Sequence, residues 1–177
     1  MFLSEINIYP IKSLGGIALE NSLVKDRGLQ FDRRWMLIDE KNQFLTQREF
    51  PKMSTIEVNL NEDSLIVSNK SSEIEIPFAF DSEKTASSKI WSSRVKSKVY
   101  KDEINVWFSE ALNTNCRLVV MNEASKRNVS PFYAVRKFKD TVSFADAYPY
   151  LLIGQSSLAD LNSKLEHNLP MTRFRPN

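Results

Sequence analysis

FDRRWMLIDEKNQFLTQR, residues 31–48, is the stretch on which the fold turns. RRWMLID (33–39) is apolar and aromatic, EKN breaks the run, and QFLTQR (43–48) resumes it. Two such runs joined by a polar turn read as a β-hairpin. Side chains alternate along a regular strand, so Arg33 and Arg34 leave on opposite sides and one of them can face inward. A buried arginine needs an anionic partner. Asp32, its chain neighbour, is one candidate and an anionic ligand is the other.

Upstream, residues 1–9 alternate loosely, with Phe2, Ile6 and Ile8 on one side, and read as a strand ending at Pro10. KSLGG (12–16) reads as a loop whose paired glycines permit backbone angles that other residues resist. Downstream, SLIVSN (64–69) and SEIEIPF (72–78) form a second strand pair, and polar DSEKTASSK (81–89) reads as a surface loop or linker. In DEINVWFSEALN (102–113), Ile104, Trp107, Phe108, Ala111 and Leu112 share one helical face. Asp102 and Glu103 at its start suit the helix dipole. CRLVVM (116–121) is a strand, 122–143 is irregular, and PYLLIG (149–154) reads as a short buried strand. SSLADLNSKLEH (156–167) reads as a helix with capping-box spacing between Ser157 and Asp160. The fold class is therefore α+β and strand-rich, with a boundary near 81–98 that divides the chain into 1–95 and 96–177.

Hydrophobic residues make up 42% and charged residues 26%, enough for a packed core. The net charge of +2, from 24 basic and 22 acidic residues, is too balanced to imply nucleic acid or an anionic membrane, so any anion site must be local. Cys116 as the single cysteine excludes an internal disulfide and a cysteine-based zinc site; it reads as a small buried hydrophobe. His167, the single histidine, excludes a His-pair metal site and reads as a solvated helix end. The start of the chain lacks a signal-peptide pattern and no apolar run approaches the roughly 18 residues of a membrane span, so a soluble cytoplasmic protein is expected.

Three cationic clusters remain: Lys12 with Ser13 before Gly15 and Gly16, Arg33 in FDRRW, and the closing TRFRPN with Arg173 and Arg175. Each alone reads as an ordinary turn, a local pair with Asp32, or a solvated end. Together they can converge on one polyanionic ligand.

YPIKSLGG (9–16), RGLQFDRRWMLID (27–39), FLTQREFPKM (44–53), FADAYPYLLIGQSSLADLN (144–162) and RFRPN (173–177) resemble the MOSC family. More narrowly, they resemble bacterial proteins with an N-terminal MOSC β-barrel domain, relatives of the mitochondrial amidoxime-reducing component. The resemblance implies a MOSC N-terminal domain plus the first half of a MOSC barrel, and a pyranopterin molybdenum cofactor. On that basis Lys12, Ser13, Arg33, Arg175 and Asn177 would contact the cofactor, and Ala147 and Tyr148 would approach it through backbone groups. It implies reduction of N-hydroxylated compounds with electrons from a reductase or an iron–sulfur protein, and, as a family attribute, pyridoxal phosphate binding. A sulfur-carrier module for cofactor assembly is the alternative. The family's metal-ligating cysteine lies beyond the RFRPN motif and Cys116 does not match it, so the sequence reads as C-terminally truncated, without its own catalytic or metal residue, and prone to pair through a bare strand edge.

Overall fold

A computed structural model describes residues 2–136 and 139–177. In chain order the elements are β1 (Ile6–Ile8), β2 (Ile17–Leu19), β3 (Val24–Lys25), β4 (Gly28–Leu29), β5 (Trp35–Ile38), β6 (Glu57–Leu60), β7 (Ser64–Ser68) and β8 (Glu73–Pro77). β9 (Thr85–Ile90), β10 (Ser93–Val99), α1 (Asp102–Leu112), β11 (Arg117–Met121) and α2 (Gln155–Asn162) follow, with short 3-10 turns at Pro51–Thr55 and Met171–Phe174.

β5 is buried along its whole length. It opens an antiparallel sheet of order β5-β11-β10-β9. Trp35 and Leu37 face one way and Met36 and Ile38 the other, as the two-residue period of a strand requires. Met36 and Ile38 pack inside the curl of the sheet with Phe44, Ile90, Val95, Val119 and Phe144. Trp35 and Leu37 pack outward against the β6-β7-β8 sheet and α1, through Leu65, Val67, Ile76 and Phe108.

The expected hairpin after β5 forms and also closes the sheet. Asp39 N–H donates to the Gln43 carbonyl (2.9 Å) and Leu45 N–H to that of Leu37 (2.9 Å). On the other side, Phe44 N–H donates to the Lys89 carbonyl (3.1 Å) and Lys89 N–H to that of Asn42 (2.7 Å). Residues 42–45 thus join the two edge strands, β5 and β9, and the sheet curls into a strand-rich half-barrel.

Several elements differ from expectation. Residues 81–89 are not a linker, because Thr85–Ile90 is the edge strand β9. Its inward residues Ala86 and Ser88 are small or polar, so their burial left no apolar signal. A division between 95 and 96 falls inside β10, which pairs with β9 on one side and β11 on the other. Residues 149–154 form no strand, and Leu151 and Leu152 are exposed. Helix α2 starts at Gln155 after Gly154, so Ser157 lies inside it and caps nothing. α1 spans nearly the expected residues and buries Ile104, Phe108 and Leu112. Cys116 is buried beside Ser109, and burial pushes its thiol up to about 11. His167 is exposed beyond α2.

Candidate functional site

The site begins where two backbones run side by side. Ile11 pairs in parallel with Trp35. Arg33 N–H donates to the Tyr9 carbonyl (2.9 Å), Trp35 N–H to that of Pro10 (3.1 Å), and Lys12 N–H to that of Trp35 (2.8 Å). This ladder sets the Lys12–Ser13 turn beside Arg33. A third strand of chain joins through Phe144 N–H, which donates to the Arg33 carbonyl (2.9 Å). The C-terminal residues arrive last. Asn177 N–H donates to the Leu151 carbonyl (3.1 Å), and its side-chain amide donates to that of Asn7 (3.3 Å).

Tyr9 is the centre of the cluster. Its ring is buried, with the Arg33 guanidinium 4.8 Å and the Arg175 guanidinium 4.1 Å from its centroid. Both distances suit a cation held over an aromatic face. Burial raises the Tyr9 phenol above its ordinary value, against the lowering influence of Arg175 and Arg33. Arg33 donates to Asp32 Oδ2 (2.6 Å) and Asn177 Oδ1 (3.1 Å). Asp32, only 1% exposed, also accepts the Tyr9 N–H (2.8 Å). Arg33 thus pairs with its neighbour Asp32, and its guanidinium lies over the Tyr9 ring beside that of Arg175.

Arg175 has no carboxylate partner among the described residues. Burial lowers its pKa to about 10, and the nearby Arg33 charge adds to the effect. A partly buried cation stacked on a ring and lacking a carboxylate partner is suited to receive an anion. Lys12 is buried and donates to Asp146 Oδ1 (2.5 Å). Burial lowers the Lys12 pKa, Asp146 offsets part of that, and Arg33 adds to the lowering, which puts the two cations in one electrostatic neighbourhood.

Backbone strain marks the same place. Ser13 (φ 69°), Arg33 (φ 49°), Trp91 (φ 51°) and Arg175 (φ 55°) all occupy the left-handed region, which costs a non-glycine residue about 1 kcal/mol or more. The glycine pair has a different role from the one expected, since neither Gly15 nor Gly16 has positive φ. A Cβ on Gly16 would lie 2.4 Å from the Tyr9 ring, so glycine supplies room. Gly16→Ala is expected to push Tyr9 out from under the two arginines and to cost about 1–3 kcal/mol, read from the shift in urea midpoint.

Ala147 and Tyr148 follow Asp146 but are exposed. Tyr148 packs edge-on against Tyr133 (6.0 Å) and lines a separate cavity, away from the cations. The Ser13 backbone carbonyl accepts from Gln47 (2.7 Å). Composition did not single out Tyr9, Trp91, Arg127 or Asp146. Trp91 donates to Asp146 Oδ1 (3.0 Å), and Arg127 holds the loop by donating to the carbonyls of Ser143 (2.8 Å) and Asp146 (3.0 Å). The one signal for Asp146 was an acid lying between Phe144 and Tyr148 in the fourth recognisable block.

Residues 1–115 match the family model for the MOSC N-terminal beta barrel domain. The chain belongs to that family. Among curated relatives of this MOSC chain, the mitochondrial amidoxime reducing component 2 of Rattus norvegicus is 30% identical over 99% of this chain and 55% of its own length. The mitochondrial amidoxime-reducing component 1 of Mus musculus is 28% identical over 99% of this chain and 54% of its own length. The molybdenum cofactor sulfurase of Solanum lycopersicum is 28% identical over 99% of this chain and 24% of its own length. The MOSC chain thus spans about half of the amidoxime-reducing relatives and about a quarter of the sulfurase. No described helix is long and apolar enough to cross a membrane.

The Lys12–Asp146 pair predicts an acid limb in stability. Burial pushes the Asp146 carboxyl up, but Lys12 and the Trp91 hydrogen bond outweigh it and hold the group below its ordinary value. Its contribution is complete above the ordinary carboxylate range and is lost as pH falls through the lowered folded value. Asp146→Asn is expected to flatten that limb in thermal melts taken from pH 6 down to about 3.

Proposed function

We propose that the chain forms the pterin-phosphate end of a molybdenum-cofactor-binding oxidoreductase that reduces N-hydroxylated compounds. The observations that support this are the Arg33 and Arg175 guanidiniums over the Tyr9 ring and the buried Lys12, whose turn is laddered to the same strand beside Arg33. The donor set fits the group: two planar guanidinium forks suit a phosphate or the acceptor edge of a pterin, and a lysine adds a point charge. When bound, the cofactor supplies the redox-active metal. The residues of this chain bind and orient it. Of these three cations Arg175 alone lacks a carboxylate partner among the described residues and would gain one from an anion, and Asn177 Oδ1 helps hold the Arg33 guanidinium in place. Asp146 serves as the resident counter-ion of Lys12 and yields that contact when a phosphate enters.

The names of the amidoxime-reducing relatives support the substrate class, and a reductase or iron–sulfur protein is the proposed electron donor. Cytoplasmic location and dimerisation through an edge strand belong to the same proposal. Pyridoxal phosphate would compete for the same cations through its phosphate. The sulfurase relatives favour a second reading, a cofactor-assembly module without its own turnover. Cys116, buried and with a raised pKa, is unsuited to carry sulfur in that reading.

The test is pterin retention. Protein purified from cells that make the cofactor is expected to release fluorescent oxidised pterin. Lys12→Ala, Arg33→Ala and Arg175→Ala are each expected to lower the yield about tenfold or more. Unchanged pterin in all three variants overturns the assignment. Protein that holds pterin yet leaves an aryl amidoxime unreduced under a chemical reductant favours the assembly module.

A further inference from the structure

Arg33 and Arg34 are adjacent in sequence but serve different clefts. Arg33 faces Tyr9. Arg34 lines a separate cavity of about 890 Å³ between the β3–β4 hairpin and residues 120–141, and none of Lys12, Arg33 or Arg175 lines it. Six basic side chains, Lys25, Arg27, Arg34, Lys126, Arg136 and Lys139, border the cavity against two carboxylates. That excess of four positive charges exceeds the net +2 of the whole chain.

Two of the six cations have carboxylate partners, Arg34 with Glu123 and Arg136 with Asp140, which lies just outside the lining. Arg34 pairs with Glu123, but its Nε is buried and has no hydrogen-bond partner among the described residues. An unpaired buried donor is costly, and an incoming acceptor would relieve it. Arg27 is committed to the carbonyls of Glu123 and Ser125 (2.6 Å each), which fixes the loop across the cavity and keeps its positive charge there. Burial and the Arg34 charge both lower the Arg27 pKa. Lys25 and Lys126 form no ion pair among the described residues.

The remaining wall is aromatic. Phe31 stacks on Phe78 with ring centroids 4.8 Å apart, and Trp35 lies 5.7 Å from Phe78. Phe31 is also held in the left-handed region (φ 66°), so the backbone is strained where it presents this ring. Aromatic rings and cations lining one cavity suit a planar aromatic molecule bearing an anionic group. The volume suits a ligand of nucleotide size.

We propose that this cavity is a second binding site, for an aromatic phosphate of about mononucleotide size, in which Arg34 and Lys126 hold the phosphate and Phe31 and Phe78 support the ring. The site is independent of the cofactor reading.

Calorimetric titration at low salt with adenosine 5′-monophosphate, adenosine and inorganic phosphate tests it, with Trp35 fluorescence as a second readout. The monophosphate is expected to bind at least about tenfold more tightly than either adenosine or phosphate alone. Arg34→Gln is expected to weaken it about tenfold. Lys126→Glu, at an exposed position that does not endanger folding, is expected to do the same. Lys12→Ala is expected to leave it unchanged. Phosphate binding as tightly as the monophosphate overturns the proposal. So does binding that is lost in Lys12→Ala but kept in Arg34→Gln and Lys126→Glu, and so does no binding at about 1 mM monophosphate.

Discussion

Replacing Asp32 by alanine is expected to lower stability by about 3–5 kcal/mol. Asp32 is 1% exposed and its two oxygens serve two strands of the site. Oδ1 accepts the Tyr9 N–H at 2.8 Å and Oδ2 the Arg33 guanidinium at 2.6 Å. Removing the carboxylate leaves a buried donor and a largely buried cation without their partner, which is worse than never having had the pair. Asp32→Asn keeps the size and one acceptor, and its loss is expected to be smaller because the amide still accepts from Tyr9. Urea denaturation of the wild type and both variants checks this. An alanine variant within about 0.5 kcal/mol of wild type would show that the pair contributes nothing to folding. The same measurement bears on function, because Asp32 sets the Arg33 geometry on which the proposed phosphate contact depends.

Phe108→Ala is expected to cost about 3–5 kcal/mol by a different mechanism, the loss of buried apolar area plus the cavity left behind. Phe108 is fully buried on α1 and packs in the core that joins β5, the β6-β7-β8 sheet and the helix. Trp107 meets it edge-on at 5.0 Å, so the deletion also removes an aromatic pair. Val106 on the same helix is 53% exposed, and Val106→Ala is expected to stay within about 0.5 kcal/mol. A thermal or urea midpoint that moves equally for both variants would sink the assignment of the buried face. Because α1 packs on β11 and β11 pairs with β5, loosening the helix is expected to reach Arg33 through the sheet.

Much of this was legible in the residues. The helical period at Ile104, Trp107, Phe108, Ala111 and Leu112 gave α1, and the apolar runs at 35–38 and 117–121 gave the paired strands β5 and β11. β9 was hidden because its inward side chains include Ala86 and Ser88, which carry no hydrophobic signal. Residues 149–154 misled in the opposite direction: an apolar run suggested burial, yet among the described residues no strand pairs with it, and its leucines are exposed. Arg33 and Lys12 were readable as cations beside turns, whereas Asp146 was not, because nothing local marks an acid whose partner lies 134 residues away.

By itself the sequence determined the strand-rich class, the α1 face, the inert burial of Cys116 and the family, because these depend on local periodicity, composition and short motifs. Only the tertiary structure decided that Arg33 and Arg175 lie over one tyrosine ring, that Asp146 holds Lys12, and that Arg34 turns to a separate cavity. Those facts depend on backbone pairing between distant segments and on the burial that pairing creates. The energy of a charge is set by what surrounds it in space, which the order of residues along the chain does not record.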